Sequence, residues 1–349
     1  MREKILRIID ANINRATEGL RVAEDIVRFV LDDDRLTSAL KDIRHEIAGS
    51  VRRMAGASGE SLGARDVGRD VGAGRCTKSE GRRKNILDVF LANIKRAQES
   101  VRVFEETSKL FDPKLGPKFK KLRFELYDIE QKAAILLKKK IKLDSPLYII
   151  TDDSFGHSHL QIMKEAAKAG ARIFQYRDKL SVKSYKLRVA RELSKYAKAH
   201  GLTFIVNDDL DIARQADADG VHVGQDIRGS EYQDIRGWQK RGKILGISAS
   251  NLKEALRAQA LGADYIGFGP IFSTPIKTGM KPTGIKELRK VMKRVTIPVV
   301  AIGGINRLNI ARIKAAGCDR VAVIRAVAGA KNVAEATNNL IKFMGGTPQ

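Results

Sequence analysis

Apolar and polar positions alternate in two different rhythms along this chain. Up to about residue 140 the apolar residues recur at helix spacing, and prolines are nearly absent, with Pro113 and Pro117 flanking a single turn. One Gly/Arg-rich stretch, GASGESLGARDVGRDVGAGR at 56–75, interrupts these helices. After Leu143 the rhythm shortens. Eight short apolar runs alternate with amphipathic helical segments: Leu147–Ile150, Arg172–Tyr176, Thr203–Val206, Gly220–Val223, Ile244–Ile247, Tyr265–Phe268, Val299–Ile302 and Arg320–Ile324.

Strands separated by helices make a parallel sheet, and eight such units in about 200 residues fit a closed barrel. A doubly wound open sheet needs a Gly-rich turn after its first strand, and Thr151-Asp152-Asp153-Ser154 is not one. The expected fold class is therefore α/β: a (β/α)8 TIM barrel over 141–349, preceded by an all-α domain over 1–140. A chain of 349 residues also exceeds what one hydrophobic core usually serves.

The helical region contains an internal repeat. Asn12, Arg15, Ala16, Glu18, Arg21, Val22 and Glu24 recur as Asn93, Arg96, Ala97, Glu99, Arg102, Val103 and Glu105, and Arg44 with Glu46 recurs as Arg123 with Glu125. Two helical hairpins of one design explain this. The repeated polar residues are spaced to form a stripe along each helix. Arg–Glu pairing within the unit and a ligand cleft between the hairpins are both open readings of that stripe.

Charge and composition narrow the class. Sixty-five Lys and Arg against 41 Asp and Glu give a net charge of +24, which suits polyanionic partners. The densest basic run, ending at Lys142, reads as a solvated helix end. No basic motif interleaved with aromatics accompanies it, so nucleic acid is not expected, although a nucleic-acid role for the helical half remains a rival. Cys76 and Cys318 have unrelated surroundings and form neither a disulfide framework nor a zinc site. No apolar run reaches the roughly 18 residues of a membrane span. The N-terminus carries acids and amides where a signal peptide is apolar, so a cytoplasmic protein is expected. A homo-oligomer is left open.

In a barrel of this kind chemistry sits at the C-terminal ends of the strands. Those ends read Gln175-Tyr176-Arg177-Asp178-Lys179, Asn207-Asp208-Asp209, Gly224-Gln225-Asp226, Ser248, Gly269 to Gly279, Gly303-Gly304 and Ile324-Arg325. Arg177 and Lys179 offer cations for phosphate oxygens. Asp208 and Asp226 are hard oxygen ligands suited to a Mg²⁺ that bridges a diphosphate. Gln175 and Asn207 offer amides to a heterocycle. Gly303-Gly304 and the last strand end lie where barrels commonly bind a second phosphate. Each feature also has a plain reading: Asn-Asp-Asp as a turn and helix cap, Gly-Gly as a turn, Lys277 as solvated surface, His222 as a satisfied packing residue. His157 and His159 have the spacing of one strand face, with metal ligation the weaker reading.

These residues resemble the thiamine-phosphate synthase family. The carrying motifs are LYIITD (147–152), QYRDK (175–179), VNDD (206–209), ADGVHVGQD (218–226), LGISAS (245–250), DYIGFGPIFSTPIK (264–277) and AIGGI (301–305). The resemblance implies that Gln175, Tyr176, Arg177, Asp178, Lys179 and Asn207 bind a pyrimidine diphosphate, and that Asp208 and Asp226 hold Mg²⁺. It implies further that Ser248 contacts the diphosphate, and that Thr274, Ile276, Lys277, Gly304, Ile324 and Arg325 handle the thiazole phosphate and diphosphate. Arg177, Lys179, Ser248 and Lys277 are the expected catalytic groups. Three positions depart from the family. Ile227 follows Asp226 where a second acid is usual, Ile276 replaces a hydroxyl, and Arg325 stands where a serine is usual. Residues 1–140 resemble the helical domain fused to some bacterial members, through RIIDANINRATEGLRVAEDIVRFVLDD and RDVGRDV. A proposed role of that domain is phosphorylation of the pyrimidine precursor, which would put Arg65, Asp66 and Arg69 on phosphate; a structural or dimerising role is the alternative. The expected reaction is electrostatic departure of pyrophosphate followed by capture by the thiazole nitrogen. A thiazole tautomerase relative without synthase activity is the enzymatic rival.

Overall fold

The computed structural model describes residues 1–56, 83–275, 279 and 281–345. Arg65, Asp66, Arg69, Cys76, Ile276 and Lys277 lie outside the described residues. The chain divides into two compact units, Met1–Lys140 and Ile141–Gln349.

The first unit is built from helices α1 (Arg2–Ile26), α2 (Asp34–Gly56), α3 (Ile86–Ser108) and α4 (Leu115–Lys142). A π turn, Val27–Leu31, extends α1 and ends on Asp32 in the left-handed conformation. The side chain of Asn85 caps α3 by accepting from the Asp88 N–H. Leu6, Ile9, Ala16, Leu20 and Ala23 of α1 share one core with Phe90, Ile94, Ala97, Val101 and Phe104 of α3. Gly19 permits the close crossing of these helices, since a Cβ there would lie 2.6 Å from the Asn93 carbonyl oxygen.

The repeat shows up as repeated contacts. Arg44 on α2 pairs with Glu24 on α1 at 3.1 Å, and Arg123 on α4 pairs with Glu105 on α3 at 3.0 Å. The amides of Asn12 and Asn93 each donate to the carbonyl four residues back, Ile8 and Val89. These members of the stripe are therefore spent on pairing within the unit. Arg15, Glu18, Arg96 and Glu99 are exposed.

The second unit is a closed barrel of eight parallel strands in chain order. They are β1 (Leu147–Thr151), β2 (Ile173–Tyr176), β3 (Thr203–Asn207), β4 (Gly220–Val223), β5 (Ile244–Ala249), β6 (Tyr265–Phe268), β7 (Val299–Ile302) and β8 (Val321–Val323). Helices α5 (His159–Lys168), α6 (Lys183–Ala199), α7 (Leu210–Gln215), α8 (Gly229–Gln239), α9 (Leu252–Ala260), α10 (Gly284–Arg294), α11 (Ile310–Lys314), α12 (Arg325–Ala328) and α13 (Val333–Met344) follow the strands. All eight expected strands are present, each within two residues of its expected ends.

Alternation along the strands separates two apolar layers. One set, including Ile149, Phe174, Phe204, Val221, Leu245, Ile266, Ala301 and Val323, packs under the helices. The other, with Tyr148, Ile150, Ile173, Ile205, Ile244, Tyr265, Val300 and Ala322, fills the barrel interior. Burying a large apolar side chain contributes about 1.5–3 kcal/mol. The interior is filled toward the N-terminal ends of the strands, so open space remains at the other end.

His157 and His159 do not share a strand face. Ser158 between them caps α5 by accepting from the Gln161 N–H, which places His159 in the first helical turn. His159 is buried, and its Nδ1 lies 2.9 Å from the Thr151 hydroxyl. Burial pushes its pKa down, against the pull of Asp153, Asp178 and Asp152.

Candidate active site

The strand C-termini surround a cavity of about 640 Å³, within the range of small-molecule sites. Its floor is formed by Tyr148, Ile150, Tyr265, Val300 and Ala322, and its walls carry Gln175, Arg177, Lys179, Asn207, Asp208, Ser248, Thr274, Gly304, Ile324 and Arg325. Ten of the expected site residues thus meet in one place.

The order of these residues follows from the pleat. On β2 the inward positions are Ile173 and Gln175, and Arg177 is next on that side, whereas Tyr176 points outward into the layer beneath the helices. Tyr176 and Asp178 consequently do not line the cavity. The Tyr176 hydroxyl donates to Asp178 Oδ2 at 3.2 Å, and Asp178 Oδ1 accepts the N–H groups of Leu180 and Ser181. They shape the turn that carries Lys179. The Asp178 carboxyl titrates below its ordinary value: burial opposes this, and the Ser181 and Leu180 donors outweigh it.

Asn207 and Asp208 end β3 on the cavity wall, and the Asn207 amide donates to Asp208 Oδ2 at 2.6 Å. Asp208 has φ 62°, a left-handed conformation that aspartate tolerates better than most residues. Asp209 is spent on capping α7, accepting from the Ile212 N–H at 2.9 Å. The plain reading thus applies to Asp209, and Asn207 and Asp208 are placed on the cavity wall.

Asp226 departs from expectation. It does not line the cavity; its side chain is 79 % exposed, and its nearest cation is Arg228 at 4.0 Å. The next residue explains this. Ile227 is buried in the layer between barrel and helices, and that anchor fixes the turn with Asp226 facing solvent. Among the described residues no group of three or more His, Cys, Asp or Glu side chains could hold a metal on its own. The donor set at the cavity is a single hard carboxylate, Asp208, with room for substrate oxygens beside it. That composition fits Mg²⁺, which takes one or two carboxylates together with phosphate oxygens and water.

Ser248 is joined to a polar chain inside the barrel. His222 Nε2 lies 3.0 Å from the Ser248 hydroxyl, and His222 Nδ1 lies 3.0 Å from the Tyr265 hydroxyl. Tyr265 is held well above its ordinary pKa by burial and also receives a hydrogen bond from Gln175. Gly246 and Gly267 make room for this chain, because a Cβ at either would come within 3 Å of the His222 ring. The plain reading of His222 as a satisfied interior residue is correct, and its partner is a candidate site group.

At the opposite wall Gly303 and Gly304 have φ 99° and 64°. A Cβ on Gly303 would strike Pro270, and one on Gly304 would strike Ser273 and Phe272. Both glycines are therefore required by conformation and by close approach of the β6–α10 segment. Arg325 begins α12 and lines the cavity, and its side chain makes no hydrogen bond or ion pair with any described residue.

The residues missed from sequence are Asp152, Tyr148, Tyr265 and Asn306. The last three line the cavity. Asp152 pairs with Arg177, Oδ2 to Nη1 at 3.2 Å. Its position just past β1, beside the end of β2, was the available signal.

A closed parallel barrel whose mouth combines Arg177, Lys179, Arg325 and a Gly-Gly turn over one cavity has the make-up of a barrel suited to small phosphorylated ligands. Comparison with known proteins makes the class specific. Residues 147–327 match the family model for thiamine monophosphate synthase, and residues 7–132 match that of the ThiD2 family. A thiamine-phosphate synthase from Thermosynechococcus vestitus is 38% identical over 97% of this chain and 95% of its own. One from Nostoc punctiforme is 36% identical over 98% and 94%. Among solved structures, the thiamine phosphate pyrophosphorylase from Pyrococcus furiosus is 35% identical, with TM-score 0.52, covering 57% of this chain and 95% of that one. The chain belongs to the thiamine monophosphate synthase family and is an enzyme, a transferase of thiamine biosynthesis. No helix among the described residues is long and apolar enough to cross a membrane.

Proposed function

We propose that the barrel joins hydroxymethylpyrimidine diphosphate to thiazole phosphate, releasing pyrophosphate and forming thiamine phosphate. The observation that supports this is that one cavity is lined by two sets of groups suited to anions: Arg177 and Lys179 past β2, and Gly303-Gly304 with Arg325 past β7 and β8. A floor of Tyr148, Ile150 and Tyr265 lies between them, suited to flat heterocycles.

In this reading Arg177 and Lys179 bind the diphosphate, and Gln175 and Asn207 orient the pyrimidine. The C–O bond to the pyrimidine methylene breaks, and pyrophosphate leaves with the electron pair. The electron-rich ring stabilises the carbon left behind. The thiazole nitrogen, held by its phosphate against the Gly-Gly wall, donates its lone pair to form the new C–N bond. Ser248, oriented by His222, donates to a diphosphate oxygen. Lys277 and Thr274 serve the same anions from the β6–α10 segment. Fixed charges act here without reorganising, which is where most of the rate gain arises. Asp208 is the cavity carboxylate that would hold Mg²⁺, which when bound would supply charge neutralisation to the diphosphate; Asp226, turned to solvent, is not placed to share it.

For the first unit we infer phosphorylation of the pyrimidine monophosphate, which would supply the diphosphate to the barrel. The match to the ThiD2 family supports this.

Incubation of the purified chain with Mg²⁺, pyrimidine diphosphate and thiazole phosphate should give thiamine phosphate. Replacing the diphosphate by the monophosphate plus ATP tests the helical unit. Product in the first case and none in the second would leave that unit a structural role.

A further inference from the structure

We infer that Asp152 is a positioning residue for the diphosphate site, acting by holding Arg177 in place. This rests on the reading above that Arg177 meets the diphosphate.

The backbone sets the pair up. Thr151 of β1 is opposite Tyr176 of β2 in the ladder, so the next residues of each strand, Asp152 and Arg177, emerge side by side at the mouth. Asp152 uses both oxygens. Oδ1 accepts the Ser154 N–H at 3.1 Å and the Ser154 hydroxyl, and Oδ2 accepts Arg177 Nη1 at 3.2 Å. Both side chains are shielded, at 15% and 16% exposure. Asp152 itself does not line the cavity, whereas Arg177 does. The neighbouring acid, Asp178, is occupied by Tyr176, Leu180 and Ser181.

The segment behind Asp152 is tied down. His159 bonds to Thr151 just before it, and His157 Nε2 lies 3.0 Å from the Ala330 carbonyl. A guanidinium has five N–H donors in a rigid fork, so one anchored nitrogen fixes the plane and leaves the others for ligand. A carboxylate beside a diphosphate is unfavourable in charge alone. Removing its charge should therefore tighten pyrophosphate if the field dominates, and weaken it if placement dominates. The two roles differ in sign.

The test compares full-length wild type, Asp152→Asn, Arg177→Ala and the double variant, assayed with Mg²⁺. Asp152→Asn should lower kcat/KM for the pyrimidine diphosphate by about tenfold to a hundredfold, as losses of an orienting partner do. It should weaken product inhibition by pyrophosphate by a similar factor, and leave the KM for thiazole phosphate within about twofold. Added to Arg177→Ala it should cost no more than about twofold. Tighter pyrophosphate inhibition, or losses that multiply in the double variant, would overturn the inference. Should Asp152→Asn be unfolded at the assay temperature, Ser154→Ala gives the same readout. It removes an anchor of Asp152 without touching a charge and should weaken pyrophosphate inhibition by about threefold; unchanged inhibition overturns the inference. Wild-type kinetics in Arg177→Ala would instead defeat the underlying reading of Arg177.

Discussion

The helical unit and the barrel mouth draw on the same side chains and use them differently. In the helices Arg44 and Arg123 are paired with Glu24 and Glu105, and Asn12 and Asn93 bond to their own backbone. At the mouth Arg177 and Asn207 each have one protein partner, and Arg325 has none among the described residues. The number of partners does not separate the two groups; placement does, because Arg177, Asn207 and Arg325 line a cavity with room for a ligand and the paired helical side chains bridge one element to the next. Repetition of a polar pattern is therefore not sufficient evidence of a site. Two of the polar positions repeated at 81-residue spacing, Glu24 with Glu105 and Asn12 with Asn93, are repeated structural contacts.

The largest expected effect tests that contrast from the helical side. Glu105 is 9% exposed and Arg123 13%, so Glu105→Ala leaves a shielded guanidinium without its carboxylate. A loss of about 3 kcal/mol in stability is expected, read as a lower urea midpoint for the helical unit. Glu24→Ala should cost nearly as much, because its bridge is the counterpart. Kinetic constants of the synthase reaction should stay unchanged in both. A fall in synthase rate without loss of stability would assign these residues to ligand binding.

From the barrel side, Arg177→Ala should remove a charge-assisted contact worth about 1.5–3 kcal/mol. That corresponds to a fall of roughly tenfold to a hundredfold in kcat/KM for the pyrimidine diphosphate, with thermal stability little changed. Arg177→Lys should recover only part of the rate, since an ammonium lacks the fork that serves Asp152 and diphosphate together. Full activity in the alanine variant would refute the contrast.

Much of this arrangement was legible in the sequence, for a physical reason. Strand ends in a barrel converge whatever the details of the loops, so locating eight apolar runs was enough to collect Gln175, Arg177, Asn207, Ser248, Gly304 and Arg325 at one mouth. Placement was less legible where a local anchor decides direction. Tyr176 and Asp178 lie within the right motif, but the pleat turns one outward and backbone caps occupy the other. Asp226 is carried to the surface because its neighbour Ile227 is apolar and buried. Asp152 was not legible because its contact with Arg177 is made just beyond the β1–β2 ladder, between residues 25 apart in the chain.

The barrel interior yields a prediction of intermediate size. Gly246→Ala would place a methyl group against both the Tyr265 ring and the His222 ring. Overpacking of this kind costs about 1–3 kcal/mol, measurable as a lower unfolding midpoint of the barrel. Because the clash falls on the chain that orients Ser248, the rate with pyrimidine diphosphate should fall as well. A stable variant with unchanged rate would mean that the His222–Ser248 contact does not matter to the site.

The smallest effect is expected at Arg325, where the charge is exposed and a solvated contact with phosphate is worth about 1 kcal/mol or less. Arg325→Ser, the residue usual in the family, should raise the KM for thiazole phosphate by at most about fivefold. It should leave the pyrophosphate inhibition constant and kcat nearly unchanged. Raising ionic strength should narrow the gap between the variants, because salt screens an exposed charge far more than the shielded Arg177. An opposite result, with the serine variant binding thiazole phosphate more tightly, would mean that the guanidinium obstructs the second phosphate wall. The open bonding capacity at Arg325 would then be a steric intrusion and not a ligand contact.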